Sequence, residues 1–148
     1  IITTRQKVPV LGSFDMSNAF KGGYIIKKES KPNIDIIIIA TGSEVSLALD
    51  SAKKLESEGK SVRVVSMFST YLYDQQSDEY KESVLPKNVR TRIAVEAGIP
   101  DYWYKYVGLD GKVLGVNRFG ISAKPEDLAE YYGLTTDNLC KVCRDMIK

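Results

Sequence analysis

Apolar and polar positions follow two different periods along this chain, and the change of period is sharpest near residue 40. Ile36-Ile37-Ile38-Ile39 runs on from Asp35 with no polar interruption. β-branched residues without polar alternation predict a strand over 35–40 that is covered on both faces, as in a parallel or mixed sheet between helix layers. From Ser43 the spacing turns helical. Val45, Ala48, Leu49, Ala52 and Leu55 share one face, which predicts a helix over about 44–58 that stops at Gly59. A second strand over 62–67 completes a β-α-β unit, whose crossover is right-handed in nearly all folds.

The rest of the pattern extends that unit. Pro9 and Gly12 break residues 1–20 into the tail of a preceding element and a linker. Gly22-Gly23 precedes a short strand at Tyr24-Ile25-Ile26. Residues 71–84 are polar and predict one or two short helices, stopped at Leu85-Pro86. Ile93-Ala94-Val95 is a third core strand, and Asp110-Gly111 is a turn before another strand over 113–116. Pro125 suits the first turn of a helix over 125–132, with Gly133 after it. Thr135 or Thr136 caps the last helix, whose buried stripe is Leu139, Val142, Cys143, Met146 and Ile147. Strands alternating with helices predict a three-layer α/β/α domain with a mixed, mostly parallel sheet of about five strands. The expected division is 1–20 as the end of a preceding domain and its linker, and 21–148 as the domain itself.

Composition narrows the function. The chain has 148 residues, enough for one domain with a real core. Its 21 basic and 19 acidic residues nearly cancel, and no long Lys/Arg run occurs, which argues against nucleic acid and membrane surfaces. Histidine is absent. That excludes Ser-His-Asp triads, Cys-His pairs and HExxH zinc sites within these residues. Two cysteines, Cys140 and Cys143, fit a reducing compartment, and cytosol is the expected location. The opening Ile1-Ile2-Thr3-Thr4 has no Met and strand-like residues, so the chain is expected to be part of a longer polypeptide.

Five features are candidates for chemistry. The Thr41-Gly42-Ser43-Glu44 turn sets backbone N–H groups and the positive end of a helix at the carboxyl edge of the sheet, a place that suits an anion. It lacks GxGxxG and a Walker lysine, so tight turning and capping are the simpler expectation. Cys140 and Cys143 lie late in a helix on its apolar stripe and are expected to be core residues. The Tyr102-Trp103-Tyr104-Lys105-Tyr106 cluster is expected to pack at a subunit interface. Glu96 ends a strand with no second acid or base beside it in sequence, and a structural hydrogen-bonding role is expected. Arg5 carries a guanidinium fork that can grip a phosphate through two hydrogen bonds.

Several phrases together resemble transketolase in its C-terminal part, over nearly the whole chain. They are Arg5-Gln6 with Val8-Pro9-Val10-Leu11, Lys21-Gly22-Gly23-Tyr24, Ala40-Thr41-Gly42-Ser43-Glu44-Val45 and Val64-Val65-Ser66-Met67. Ser83-Val84-Leu85-Pro86, Ala94-Val95-Glu96-Ala97-Gly98, Trp103-Tyr104-Lys105-Tyr106-Val107-Gly108-Leu109-Asp110-Gly111 and Phe119-Gly120-Ile121-Ser122-Ala123 continue the match. The Gly-Ser-Glu turn is shared with other thiamine-diphosphate enzymes, whereas the Val-Glu-Ala-Gly and Tyr-Val-Gly-Leu-Asp-Gly phrases look like transketolase specifically. Phe68 stands where the family usually has Pro, and Lys124 is inserted before Pro125; both departures fall in turns.

The resemblance implies transfer of a two-carbon ketol unit between sugar phosphates in the pentose phosphate pathway. It implies thiamine diphosphate and a divalent metal, Mg or Ca, in the full-length enzyme, with neither held by this chain alone. Arg5 is the one position that matches a family functional residue, as the group that grips the acceptor's phosphate, and no catalytic residue is implied here. The implied partners are the remaining transketolase domains, a second subunit of a homodimer and a sugar-phosphate substrate. The domain itself would be non-catalytic and would contribute dimer contacts. Two other readings stay open: a stand-alone module holding an anionic or nucleotide regulator at Gly42–Ser43, and a non-catalytic assembly subunit of a split enzyme.

Overall fold

A computed structural model describes residues 6–11 and 16–147. Five strands form one sheet in the order β1-β3-β2-β4-β5. They are β1 (Tyr24–Lys27), β2 (Ile36–Ala40), β3 (Val62–Ser66), β4 (Arg92–Val95) and β5 (Lys112–Leu114). β1 pairs antiparallel with β3, and the other three pairings are parallel. The sheet is therefore mixed and mostly parallel, as the unalternated isoleucines predict.

The isoleucine run works by sending alternate side chains to opposite faces. Ile36, Ile38 and Ala40 join Val45, Ala48, Ala52 and Leu55 of α1 (Glu44–Ser57) and Leu139, Cys140 and Cys143 of α6 (Thr136–Met146). Ile37 and Ile39 point the other way, into a second core with Met67, Tyr73, Val84, Ala94, Trp103 and Tyr106. That core is roofed by α2 (Thr70–Asp74), α3 (Asp78–Val84), a 3-10 turn at Pro100–Trp103 and α4 (Tyr104–Val107). All four isoleucines are fully buried, each worth about 1.5–3 kcal/mol relative to an exposed side chain. The three layers follow from this one segment.

Local chemistry sets the helix starts. Ser69 Oγ accepts from Leu72 N, Ser77 Oγ from Tyr80 N and Thr135 Oγ1 from Asn138 N, each at 3.3 Å. α5 (Pro125–Tyr132) begins at its proline and ends at Gly133. Two departures from the sequence reading stand out. β5 covers 112–114 and not 113–116, because Val116 N leaves the sheet and donates to Gly98 O at 2.8 Å. A 3-10 turn, Met16–Lys21, lies in the stretch read as linker, and Leu11 and Ala19 pack against the first core.

One buried charge ties the sheet to its loops. Arg63 on β3 is only 7% exposed, and its guanidinium grips Glu29 through two bonds, Nε to Oε2 at 2.8 Å and Nη2 to Oε1 at 2.6 Å. Its Nη1 donates to the carbonyls of Ser83 and Val84, fastening the end of α3. Arg63 holds the Glu29 carboxyl below the usual carboxylate range. A lowered folded value means stability that is present above the unfolded value near 4.5 and lost as pH falls through the folded one. Glu29→Ala should therefore cost about 2 kcal/mol at neutral pH, because it leaves Arg63 buried and unpaired. It should also remove part of the acid sensitivity, so that wild type and variant converge in urea melts run below pH 4.

Candidate functional site

The order β1-β3-β2-β4-β5 contains a switch point between β2 and β4. From β2 the chain crosses to β3 on one side, then returns to place β4 on the other. In open α/β sheets, ligand crevices form outside the carboxyl ends of strands at such a point. Here the Thr41–Glu44 turn follows β2, and Glu96-Ala97-Gly98 follows β4. A cleft of about 760 Å³ opens there. Ser43, Glu44 and Leu47 of α1 line one side, Leu128 and Tyr132 of α5 another, and Gln6–Pro9 run along it.

The turn does not have the chemistry of an anion cradle. Gly42 takes the left-handed conformation, φ 55°, that lets the chain double back after β2. Glu44 N then donates to Thr41 O at 3.2 Å and Val45 N to Gly42 O at 3.4 Å, so two of the helix's first N–H groups are already used. Ser43 Oγ bonds to Glu44 Oε1 at 2.9 Å and caps no backbone N–H. Glu44 puts a carboxylate at the mouth of the turn and Glu96 stands close enough to feel it. The phosphate or nucleotide site considered for Gly42–Ser43 is thus opposed by charge, and capping-type turn bonds are what the segment supplies. Among the described residues no group of three or more His, Cys, Asp and Glu could hold a metal ion.

Glu96 departs from its expected role. Its backbone is bonded, N to Leu114 O at 3.1 Å, but its side-chain Oε2 is sealed from solvent with no hydrogen-bond partner among the described residues. Burial, with the Glu44 charge adding to it, pushes the carboxyl up to about 7. Sequence spacing gave no warning, since Glu44 and Glu96 are brought together only by the β2–β4 pairing.

The aromatic cluster divides. Trp103 and Tyr106 are core residues, and Tyr106 OH donates to Asp74 Oδ2 at 3.1 Å. This corrects the expectation that the whole cluster faces a partner: a short helix must bury one side. Tyr102 and Tyr104 are exposed, together with Phe68, Tyr71 and Ile99. Cys140 and Cys143 are buried in the first core, as their place on the α6 stripe predicts. Burial raises both thiols, Cys143 to about 12, and leaves them unreactive. Lys124 sits exposed ahead of Pro125 without capping α5 through its side chain. Arg5 lies outside the described residues.

Comparison with known proteins decides the family. A model of the transketolase-like TK C-terminal domain matches residues 22–135. The chain belongs to that family. It is 50% identical over 147 residues to a probable transketolase of Streptococcus pneumoniae, covering 99% of this chain and 22% of the relative. It is 44% identical over 148 residues to a transketolase of Staphylococcus epidermidis, with the same shares covered. Among solved structures, a Pichia stipitis transketolase in complex with sedoheptulose 7-phosphate superposes with a TM-score of 0.86 at 38% identity. That match covers 97% of this chain and 20% of the other. The chain thus spans about a fifth of the length of the transketolases it matches. No helix among the described residues is long and apolar enough to cross a membrane.

Proposed function

We propose that this chain is the C-terminal domain of a thiamine-diphosphate-dependent transketolase, a cytoplasmic enzyme that moves a two-carbon ketol unit between sugar phosphates. The observation that carries the reading is a 50% identity sustained across 99% of the chain, joined to a shared fold. The domain's own part is structural. Its lack of histidine, and of any cluster of three or more His, Cys, Asp and Glu among the described residues, supports a reading in which the reacting groups lie in the rest of the polypeptide. The exposed side chains of Phe68, Tyr71, Ile99, Tyr102 and Tyr104 support a surface role in meeting other domains or a second subunit of a homodimer. Arg5, one residue before the segment that runs along the cleft, is the position we assign to the acceptor's phosphate.

The test is a transfer assay on the longer protein that carries this segment, supplied with thiamine diphosphate and Mg²⁺, beside the 148-residue chain alone. Ketol transfer by the longer protein and none by the chain is expected. A longer protein that binds thiamine diphosphate but moves no ketol unit would sink the proposal.

A further inference from the structure

Glu96 ends β4 at the switch point, and the proposed activity makes no use of it. One carboxyl oxygen, Oε2, is enclosed without a partner. Ionisation would put negative charge on this enclosed oxygen with no donor to meet it, which is costlier than a neutral acid in the same place. Among the described residues the surroundings offer no relief. Glu44 on α1 is the charged group that acts on it, and its sign is the same. β2 ends in Ile39-Ala40 and β5 in Val113-Leu114, all apolar. Lys7, on the segment along the cleft, is exposed and forms no ion pair with either glutamate among the described residues.

The turn that carries Glu96 is fastened by three backbone bonds. Glu96 N donates to Leu114 O, Gly98 N to Glu96 O, and Val116 N to Gly98 O, at 3.1, 2.8 and 2.8 Å. The fit is close as well, for a Cβ built on Gly115 would lie 2.8 Å from Gly98 O. We propose that Glu96 is a proton-operated latch: its neutral carboxyl lets the 96–98 turn close onto β5 and the α1 turn, and loss of the proton loosens that closure. Ala97, inside the latch, lines the 760 Å³ cleft, so loosening reshapes the cleft wall. The sign is fixed by linkage. The closed turn holds the proton up to about 7, whereas an open turn releases it near the ordinary glutamate value of 4.5. Closure is therefore most favoured at low pH, and its advantage falls as pH rises from 4.5 to about 7, then levels off.

Hydrogen exchange at the Gly98 and Val116 amides of the 148-residue chain reads the latch directly. After correction for intrinsic rates, opening should rise by up to about tenfold per pH unit between pH 5 and 7 and flatten above. Glu96→Gln should give a flat profile, and Glu44→Gln should move the plateau to lower pH. Identical profiles in wild type and E96Q would overturn the proposal. Should E96Q fail to fold, the ¹³C titration of the wild-type Glu96 carboxyl decides instead. A midpoint near 7 supports the latch, and one near 4.5 removes it.

Discussion

Alanine at position 22 is expected to cost the domain about 3–5 kcal/mol, enough to erase much of the stability of an ordinary domain. Two independent penalties meet there. Gly22 has φ 86°, a region that side-chain-bearing residues enter only with strain. A Cβ built on it would also collide with the backbone oxygen of Ser69, lie 2.6 Å from Tyr73 N and 2.7 Å from Leu72 Cβ. Backbone cannot swing aside as a long side chain can, so α2 would have to move off the sheet. The close approach is held by Ser69 N donating to Gly22 O at 2.9 Å, so shifting α2 would also break that bond. Urea unfolding of the 148-residue chain measures the loss as a lowered midpoint at unchanged slope. A midpoint within error of wild type would show that Gly22 is not packed against α2 as described.

Arg5→Ala carries the largest expected effect on activity. If Arg5 is the proposed partner of the acceptor's phosphate, its removal from the full-length enzyme should weaken phosphorylated acceptors by roughly 2–5 kcal/mol. The KM for such acceptors should rise accordingly, while acceptors lacking a phosphate keep theirs. Thermal stability should not move. That contrast separates phosphate recognition from damage to the fold. An unchanged KM for phosphorylated acceptors would remove the assignment and leave the family membership untouched.

How much was legible depended on how local the cause was. The isoleucine run at 36–39, the helical stripe of α1 and the cap at Thr135 each act within one element, so period and composition were enough to place them. β5 was misplaced by two residues because its end is decided by a bond from Val116 to Gly98, and no local pattern encodes that. The Met16–Lys21 turn was missed for a similar reason, since a single 3-10 turn has too little period to read. The pair Glu29–Arg63 spans 34 positions and joins a loop to a strand, so Arg63 gave no sign of being buried.

The site was less legible than the fold. Sequence offered the Gly42–Ser43 turn as an anion position because glycine, serine and a helix start have that geometry in many sheets. What it concealed was placement in space: Glu96 reaches the same edge through β2–β4 pairing, where burial and the Glu44 charge push its carboxyl up to about 7. The aromatic cluster failed differently. Five residues in a row looked like one surface, but Trp103 and Tyr106 face the core while Tyr102 and Tyr104 face outward.

The most direct test of the central claim captures the native protein. An antibody raised against this domain would be used to draw its antigen from cells that make it, and the captured material assayed for thiamine-diphosphate-dependent ketol transfer. Transfer activity on a polypeptide several-fold heavier than 16.5 kDa is the predicted result, since the chain spans 22% of its S. pneumoniae relative. Captured protein that transfers no ketol unit with cofactor, metal and sugar phosphates supplied would contradict the account.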